Sequence, residues 1–316
     1  MKMKTIEISE APAFGAGQPQ AKTAPSGDSA VREATSVEAI GLAATFFRAL
    51  GTGSKRPGLV TALPKVELAM PRVLLDAQHI ARYGQLCGFS DAQGVPLIYP
   101  QLLTFPLVTA YVSSPECPWP AMGTVHLANS ITQHRQLRAG DEVRVEMGTG
   151  NLLSHDKGQV FTLNLRILRG DALVWSATQS LLRVGVRQTS GTPCVSQLAS
   201  NLPLSCQAEF SAGADLGRRY GAVSGDRNPI HMTALTARIF GFKRAIAHGM
   251  WTSARALSLL LPSKPLDEAS LVVEFKTPFL LPGRASLWSA RSPRGALFEV
   301  RDAKGERPHL RGQLSY

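Results

Sequence analysis

Cysteine is scarce in this chain and dispersed where it occurs: Cys87, Cys117, Cys194 and Cys206 include no CxxC pair. That spacing offers neither a zinc site nor a dense disulfide framework, so the thiols read as reduced and structural or incidental. No apolar run reaches the ~18 residues of a membrane span, and the N-terminal MKMKTIEISEAPAFG lacks the apolar segment of a secretory signal. The expectation is a soluble, cytoplasmic protein. Long Lys/Arg runs, zinc-finger spacing and the aromatic signature of RNA-binding sheets are also missing, so nucleic acid is not an expected partner. Glycine (28) and proline (21) are not in excess for 316 residues, which excludes collagen-like and low-complexity architecture.

What is present is enough apolar material for a sizeable core. The chain is 44% hydrophobic and 18% charged, against wholesale disorder, and its 316 residues fit about two domains. The net charge of +11 is uneven. Residues 1–60 carry 7 basic and 5 acidic groups, 61–202 carry 11 and 9, and 203–316 carry 16 and 9, so +7 falls in the last third. A basic surface of this kind attracts a phosphorylated cofactor or an acidic carrier protein.

Along the chain, 1–59 reads as a flexible N-terminal tail with a short helix over 37–50, where Val37, Ile40, Leu42, Phe46 and Leu50 fall near helical spacing. Residues 60–187 form a first unit. It has an amphipathic segment over 73–89 and strand-like stretches over 126–148 and 159–186. In the latter, Phe161, Leu163, Leu165 and Ile167 alternate with Thr162, Asn164 and Arg166, the pattern of a half-buried antiparallel strand, and Arg169-Gly170-Asp171 is a hairpin turn. Residues 188–202 read as a linker. The second unit, 203–316, repeats the plan of helices first and strands after. Tyr83-Gly84-Gln85-Leu86-Cys87-Gly88 matches Tyr220-Gly221-Ala222-Val223-Ser224-Gly225, and Leu137-Arg138-Ala139-Gly140 sits where Leu280-Leu281-Pro282-Gly283 sits later.

The densest chemical signal is the run from Tyr220 to His231, YGAVSGDRNPIH. Asn228 is a good helix N-cap and Pro229 a favoured first helical residue, and Gly241 can close PIHMTALTARIFG as one helix. His231 then lies in a first helical turn, with Asp226 on the loop before it. A carboxylate and an imidazole at such a junction can converge on one water or pass one proton. The second signal is Ala247-His248-Gly249-Met250, opening a buried helix on which Met250, Ala254, Leu257 and Leu261 share a face. Gly249 either leaves backbone N–H groups exposed at the positive end of that helix, suited to an oxyanion, or serves only close packing.

These residues resemble the signature of MaoC-like (R)-specific enoyl-CoA hydratases, hydratase 2: Tyr220, Ser224, Gly225, Asp226, Asn228, Pro229 and His231, then Gly241-Phe242 and His248-Gly249. The stretch FKTPFLLPG, 275–283, is similar to the family's strand after its central helix. The resemblance implies an α+β fold of the double hot-dog form, two repeats each with an antiparallel sheet wrapped round a long helix. It implies Asp226 and His231 as the catalytic pair on one water and Gly249 N–H at the thioester oxygen, with Asn228 and Ser224 in support. His248 is assigned no catalytic part. The implied reaction is reversible hydration of trans-2-enoyl thioesters to (R)-3-hydroxyacyl thioesters, with no metal or redox cofactor. The substrate is carried by CoA or an acyl carrier protein. The two repeats would form a pseudo-dimer within one chain, with a further homodimer open. The alternatives of other classes are a non-catalytic acyl-thioester-binding or assembly protein of the same fold, or a thioesterase.

The first unit departs from the pattern. Phe89 stands where Asp226 lies and Gly94 where His231 lies, and Gly88 to Tyr99 spans 11 residues against 23 from Gly225 to His248. It is a degenerate copy beside a catalytic one. Phe89, Leu97, Leu102, Leu103 and Phe105 either make room for an acyl chain or are ordinary core. Arg218, Arg219, Arg227, Arg238, Lys243 and Arg244 crowd the motif, as an attractive mouth or as a solvated basic face. His79, His126, His134 and His155 show no ligand spacing and receive no role.

Overall fold

The computed structural model describes residues 32–33, 52, 58–121, 123–187, 191–199 and 203–316. The expected helix over 37–50 and nearly all of the expected tail lie outside the described residues, as do both ends of the expected linker.

The first half opens with β1 (Arg32–Glu33) and β2 (Glu67–Leu74), followed by helices α1 (Ala77–Cys87) and α2 (Pro100–Val112). Four strands follow: β3 (Thr124–Gln133), β4 (Glu142–His155), β5 (Gly158–Arg169) and β6 (Ala172–Val184). Asp76 caps α1 by accepting from the His79 N–H at 2.6 Å, and Gly88 ends it at φ +85°. Phe161, Leu163, Leu165 and Ile167 are all buried, while Asn164 and Arg166 face solvent, the alternation read from the sequence. At the start of β5 the alternation fails, because Val160 and Thr162 are buried as well as Phe161. The Gly170-Asp171 turn joins β5 to β6 with Arg169 opposite Ala172.

The second half repeats this order. Strand β7 (Ser205–Ala212) precedes α3 (Leu216–Ser224), the short helices α4 (Pro229–Met232) and α5 (Ala234–Ile239), and the central helix α6 (Gly249–Leu260). Strands β8 (Ala269–Phe275), β9 (Gly283–Ser292), β10 (Gly295–Asp302) and β11 (Pro308–Ser315) complete it. The segment expected to be one helix from Pro229 to Gly241 is two. Thr233 leaves the helical region at φ −146° and ψ 161° and caps α5 by a reciprocal box with Thr236. Two short polar caps within reach favour a break over a continuous helix.

All described strands join one sheet in the order β1-β2-β4-β5-β6-β3-β8-β11-β10-β9-β7. The run β2-β4-β5-β6-β3 in one half has its counterpart in β7-β9-β10-β11-β8 in the other. The halves meet where the equivalent strands β3 and β8 pair antiparallel, from Ala128 opposite Glu274 to Gln133 opposite Ala269. Helix α2 packs on β2, β4 and β5, and α6 on β10 and β11. On α6, Trp251, Ala254, Ala256, Leu257 and Leu260 are buried, whereas Met250 and Leu261, expected on its buried face, are half-buried. This is an α+β double hot-dog: two antiparallel sheets, each curled round a central helix and fused edge to edge.

The sequence match between Tyr83–Gly88 and Tyr220–Gly225 marks equivalent helix ends. Gly88 and Gly225 both take left-handed caps, at φ +85° and +79°. Tyr83 and Tyr220 are fully buried and their rings meet across the halves, 6.3 Å apart. Within the expected linker, the described residues are anchored: Ser196 Oγ and Gln197 N–H donate to the Glu274 carboxylate at 2.6 and 2.8 Å. Among the described residues, no helix is long and apolar enough to cross a membrane. The four cysteines form no disulfide.

Candidate active site

The site is built where α3 ends and α6 begins. Gly225 turns the chain out of α3, and Asp226 follows on the loop. Ser224 Oγ accepts from the Asp226 N–H at 3.2 Å, and Asp226 Oδ1 accepts from the Asn228 N–H at 3.1 Å. Asn228 caps α4 through its Oδ1, which accepts from the Ile230 N–H at 3.3 Å. Ser224 and Asn228 therefore hold the loop through its backbone.

His231 sits on α4 with its ring buried. Its Nδ1 lies 2.8 Å from the Ile246 carbonyl. A carbonyl can only accept, so Nδ1 carries the proton and the neutral ring keeps a lone pair on Nε2. Burial lowers the His231 pKa from the usual histidine range, and the nearby Asp226 carboxylate opposes this only in part. The Asp226 side chain keeps 32% of its exposure. Withdrawal from bulk water works to raise its pKa, but His248, His231 and the Asn228 N–H outweigh that and hold it below the ordinary aspartate value. The pair is thus an ionised carboxylate beside a neutral imidazole.

His248, the N-cap of α6, belongs to the same cluster. Its Nε2–H donates to the Asp226 carbonyl at 2.9 Å, and its ring stacks on His231 with centroids 3.7 Å apart. Burial and then the neighbouring His231 push its pKa down to about 3. The ring braces the Asp226 loop, and its Nδ1 is buried with no hydrogen-bond partner. Asp226, His231 and His248 bring one ligand-capable atom each within 4.8 Å of one another, close enough to share a water or a metal ion.

Gly249 is the first residue of α6, so its N–H has no partner within the helix. A side chain there is forbidden by packing: an added Cβ would lie 2.6 Å from the Phe275 ring. That close approach requires glycine at the first position of the helix.

Two residues that the sequence left without a role belong to this neighbourhood. His126, on β3 of the first half, packs its ring 4.8 Å from Phe275. Burial lowers its pKa to about 4, Asp226 acts on it electrostatically, and its Nε2 is covered without a partner. His79 ties the halves together. Its Nε2–H donates to the Val223 carbonyl at 2.8 Å, and its Nδ1 accepts from the Tyr99 hydroxyl at 2.8 Å. Partners lying 144 residues apart leave no local pattern to read. Of the five apolar residues singled out between 89 and 105, Phe89, Leu97 and Leu102 are core, and Leu103 packs against it. Phe105 reaches the loop that follows α3, within 3.4 Å of where a Gly225 Cβ would stand.

The degenerate copy is visible in the same terms. Tyr99 caps α2 where His248 caps α6, and its ring is buried against Tyr83 and His79. The chain between helix cap and central helix is twelve residues shorter there, 88 to 99 against 225 to 248. It carries a single short turn, Asp91–Gln93, in place of α4 and α5.

Among the described residues, the double hot-dog thus sets an Asp–His cluster beside the N-terminus of a central helix, an arrangement able to hold a water for acid–base chemistry. The chain belongs to the MaoC-like dehydratase family. Residues 204–282 match the MaoC like domain. The chain is 34% identical over 249 residues to 3-hydroxyacyl-thioester dehydratase X of Mycobacterium tuberculosis, covering 78% of this chain and 88% of that protein. The crystal structure of HtdX from the same organism superposes with a TM-score of 0.68 at 30% identity, over 78% of this chain and 98% of that one. A MaoC-like dehydratase from Phytophthora capsici shares the fold, with a TM-score of 0.66 at 17% identity over 81% and 96% of the two chains.

Proposed function

We propose that this hydro-lyase reversibly hydrates trans-2-enoyl thioesters to (R)-3-hydroxyacyl thioesters, with Asp226 and His231 acting on one water. The observation that carries the reading is the hydrogen bond from His231 Nδ1–H to Ile246. It makes Nε2 an acceptor, and the Asp226 carboxylate is an acceptor too. A water between them gives one hydrogen to each and presents an oxygen lone pair to C3 of the substrate. As the C3–O bond forms, one O–H bond breaks and the proton passes to the pair. Charge moves through C2 onto the thioester oxygen, where the Gly249 N–H and the helix dipole stabilise it. The proton then returns to C2 on the same face, so one water is added and the pair is restored. Dehydration is the reverse. No step calls for a metal or a redox cofactor, and the substrate arrives on CoA or on an acyl carrier protein.

The test is to incubate the protein with trans-2-enoyl-CoA of short to long chains and resolve the products. The expected result is (R)-3-hydroxyacyl-CoA with no thiol released. Free thiol would assign a thioesterase instead, and a folded protein inert on both CoA and carrier-borne substrates would assign a binding protein.

A further inference from the structure

The second half carries a segment that its fold does not need. The first half completes the same architecture with twelve fewer residues between its first helix and its central helix. The extra length leaves the fold just after His231, at Thr233, and returns at Ile246. Its neck is closed at the catalytic histidine by Ile246 N–H donating to the Ile230 carbonyl at 3.0 Å and by His231 Nδ1–H on the Ile246 carbonyl. Helix α5 is fixed on this neck by Thr236 Oγ1, which donates to the Pro229 carbonyl at 2.7 Å.

The exposed side of α5 carries two large apolar side chains beside Arg238. Leu235 is 72% exposed and Ile239 75%, the two most exposed large hydrophobic residues among those described. They are four apart and so share one side of the helix. Arg218, Arg219, Arg227, Arg238, Lys243 and Arg244, all exposed, lie in the same stretch of chain. From 216 to 266 the only acidic residue is Asp226 itself. Among the described residues, Arg218, Arg238 and Arg244 bond backbone carbonyls, of Met232, Lys243 and Pro282. Arg219 has a single carboxylate, Asp215, at 3.9 Å. Among the described residues, positive charge thus predominates beside an exposed apolar pair, a few residues along the chain from His231.

Resting on the hydration reading, we infer that α5 and its basic surroundings dock an acidic carrier domain that bears the acyl thioester. The phosphates of free CoA would engage the cations but have no use for Leu235 and Ile239. A carrier protein with an acidic, partly apolar helix meets both features.

The test compares kcat/KM for the same enoyl chain on CoA and on an acidic carrier protein. It uses wild type, the Leu235→Ser/Ile239→Ser pair and the Arg238→Glu/Lys243→Glu pair, with melting curves confirming that each variant folds. The expected result is a loss of about tenfold or more for the carrier-borne substrate in both pairs, the scale of losing an interface anchor. The serine pair should leave the CoA substrate within about twofold, as surface substitutions remote from the reacting atoms do. Equal effects of the serine pair on both substrates, or no effect of either pair on the carrier-borne one, would overturn the docking surface. So would a wild type that turns over CoA but not carrier-borne substrate, with the hydration reading left standing. A wild type inert on both would remove the hydration reading and the docking surface together.

Discussion

One backbone carbonyl fixes the chemistry of His231. Because Ile246 accepts from Nδ1, Nε2 keeps its lone pair, and burial favours that neutral form at pH values where an exposed histidine would be protonated. Both His231 and Asp226 have lowered pKa values, so the active form persists below the ordinary histidine pKa of 6.5 and is lost only as acid protonates one of them. The acid limb of kcat/KM is therefore expected below pH 6.5; a limb at or above that value would contradict the assigned protonation. Gly249 makes a second residue-scale case. Gly249→Ala would place a methyl 2.6 Å from Phe275, a contact that forces the ring or the helix to move. Calorimetry should show a loss of about 1–3 kcal/mol, accompanied by reduced kcat as the N–H is displaced from the thioester oxygen. The motif singled out Asp226, His231 and Gly249 in the sequence, and the structure brings Asp226 and His231 into one cluster. It did not reveal that His248 braces the Asp226 loop, or that His126 comes from the other half. Those contacts join chain segments 22 and 100 residues apart, and no local periodicity encodes them.

Helix ends carry the next level of information. The repeat of Tyr-Gly-x-x-x-Gly was readable because both copies must end a helix in the left-handed region at Gly88 and Gly225. Replacing Gly88 by Ala strains that cap and drives a Cβ into the Arg255 guanidinium, with Nη1 only 1.9 Å away. The expected cost is about 1 kcal/mol or more, read as a lowered denaturation midpoint. The hairpin at Gly170-Asp171 and the alternation in β5 were likewise local and therefore visible. The break between α4 and α5 was not read, although Thr233 and Thr236 supply the polar ends of a capping box; apolar spacing ran through it and outweighed the caps. Thr233→Ala removes that box and should cost about 1 kcal/mol. The accompanying fall in kcat/KM is expected to exceed the stability effect, since the same turn carries His231.

Across the whole molecule, the halves are joined as equivalents, by β3 on β8. The two units could be read as repeats, but the seam between them could not, because edge pairing leaves no mark on the hydrophobic pattern of either strand. Ile131 lies opposite Leu271 in that seam, and both are fully buried. Ile131→Ala should destabilise the chain by about 2–5 kcal/mol in a single transition, because the seam belongs to both halves. Two separate melting steps, with only one shifted, would show halves that fold independently. The buried neutral histidines also set a stability window. His248 has a pKa of about 3 folded against 6.5 unfolded, so below pH 6.5 the unfolded chain binds the extra proton. Stability is therefore full above pH 6.5 and falls on acidification toward pH 3, at about 1.4 kcal/mol per unit for one such group. Denaturation midpoints measured across that range check the sign.

The proposed chemistry depends on one water shared by Asp226 and His231. The most direct test is kcat/KM for hydration of trans-2-enoyl-CoA by wild type, Asp226→Asn, His231→Ala and the double variant. Each single substitution is predicted to lose about 10²-fold or more. Because the two groups serve the same water, the double variant should be little worse than the poorer single one. Full multiplication of the two losses, or a single variant that keeps wild-type activity, would contradict the shared water.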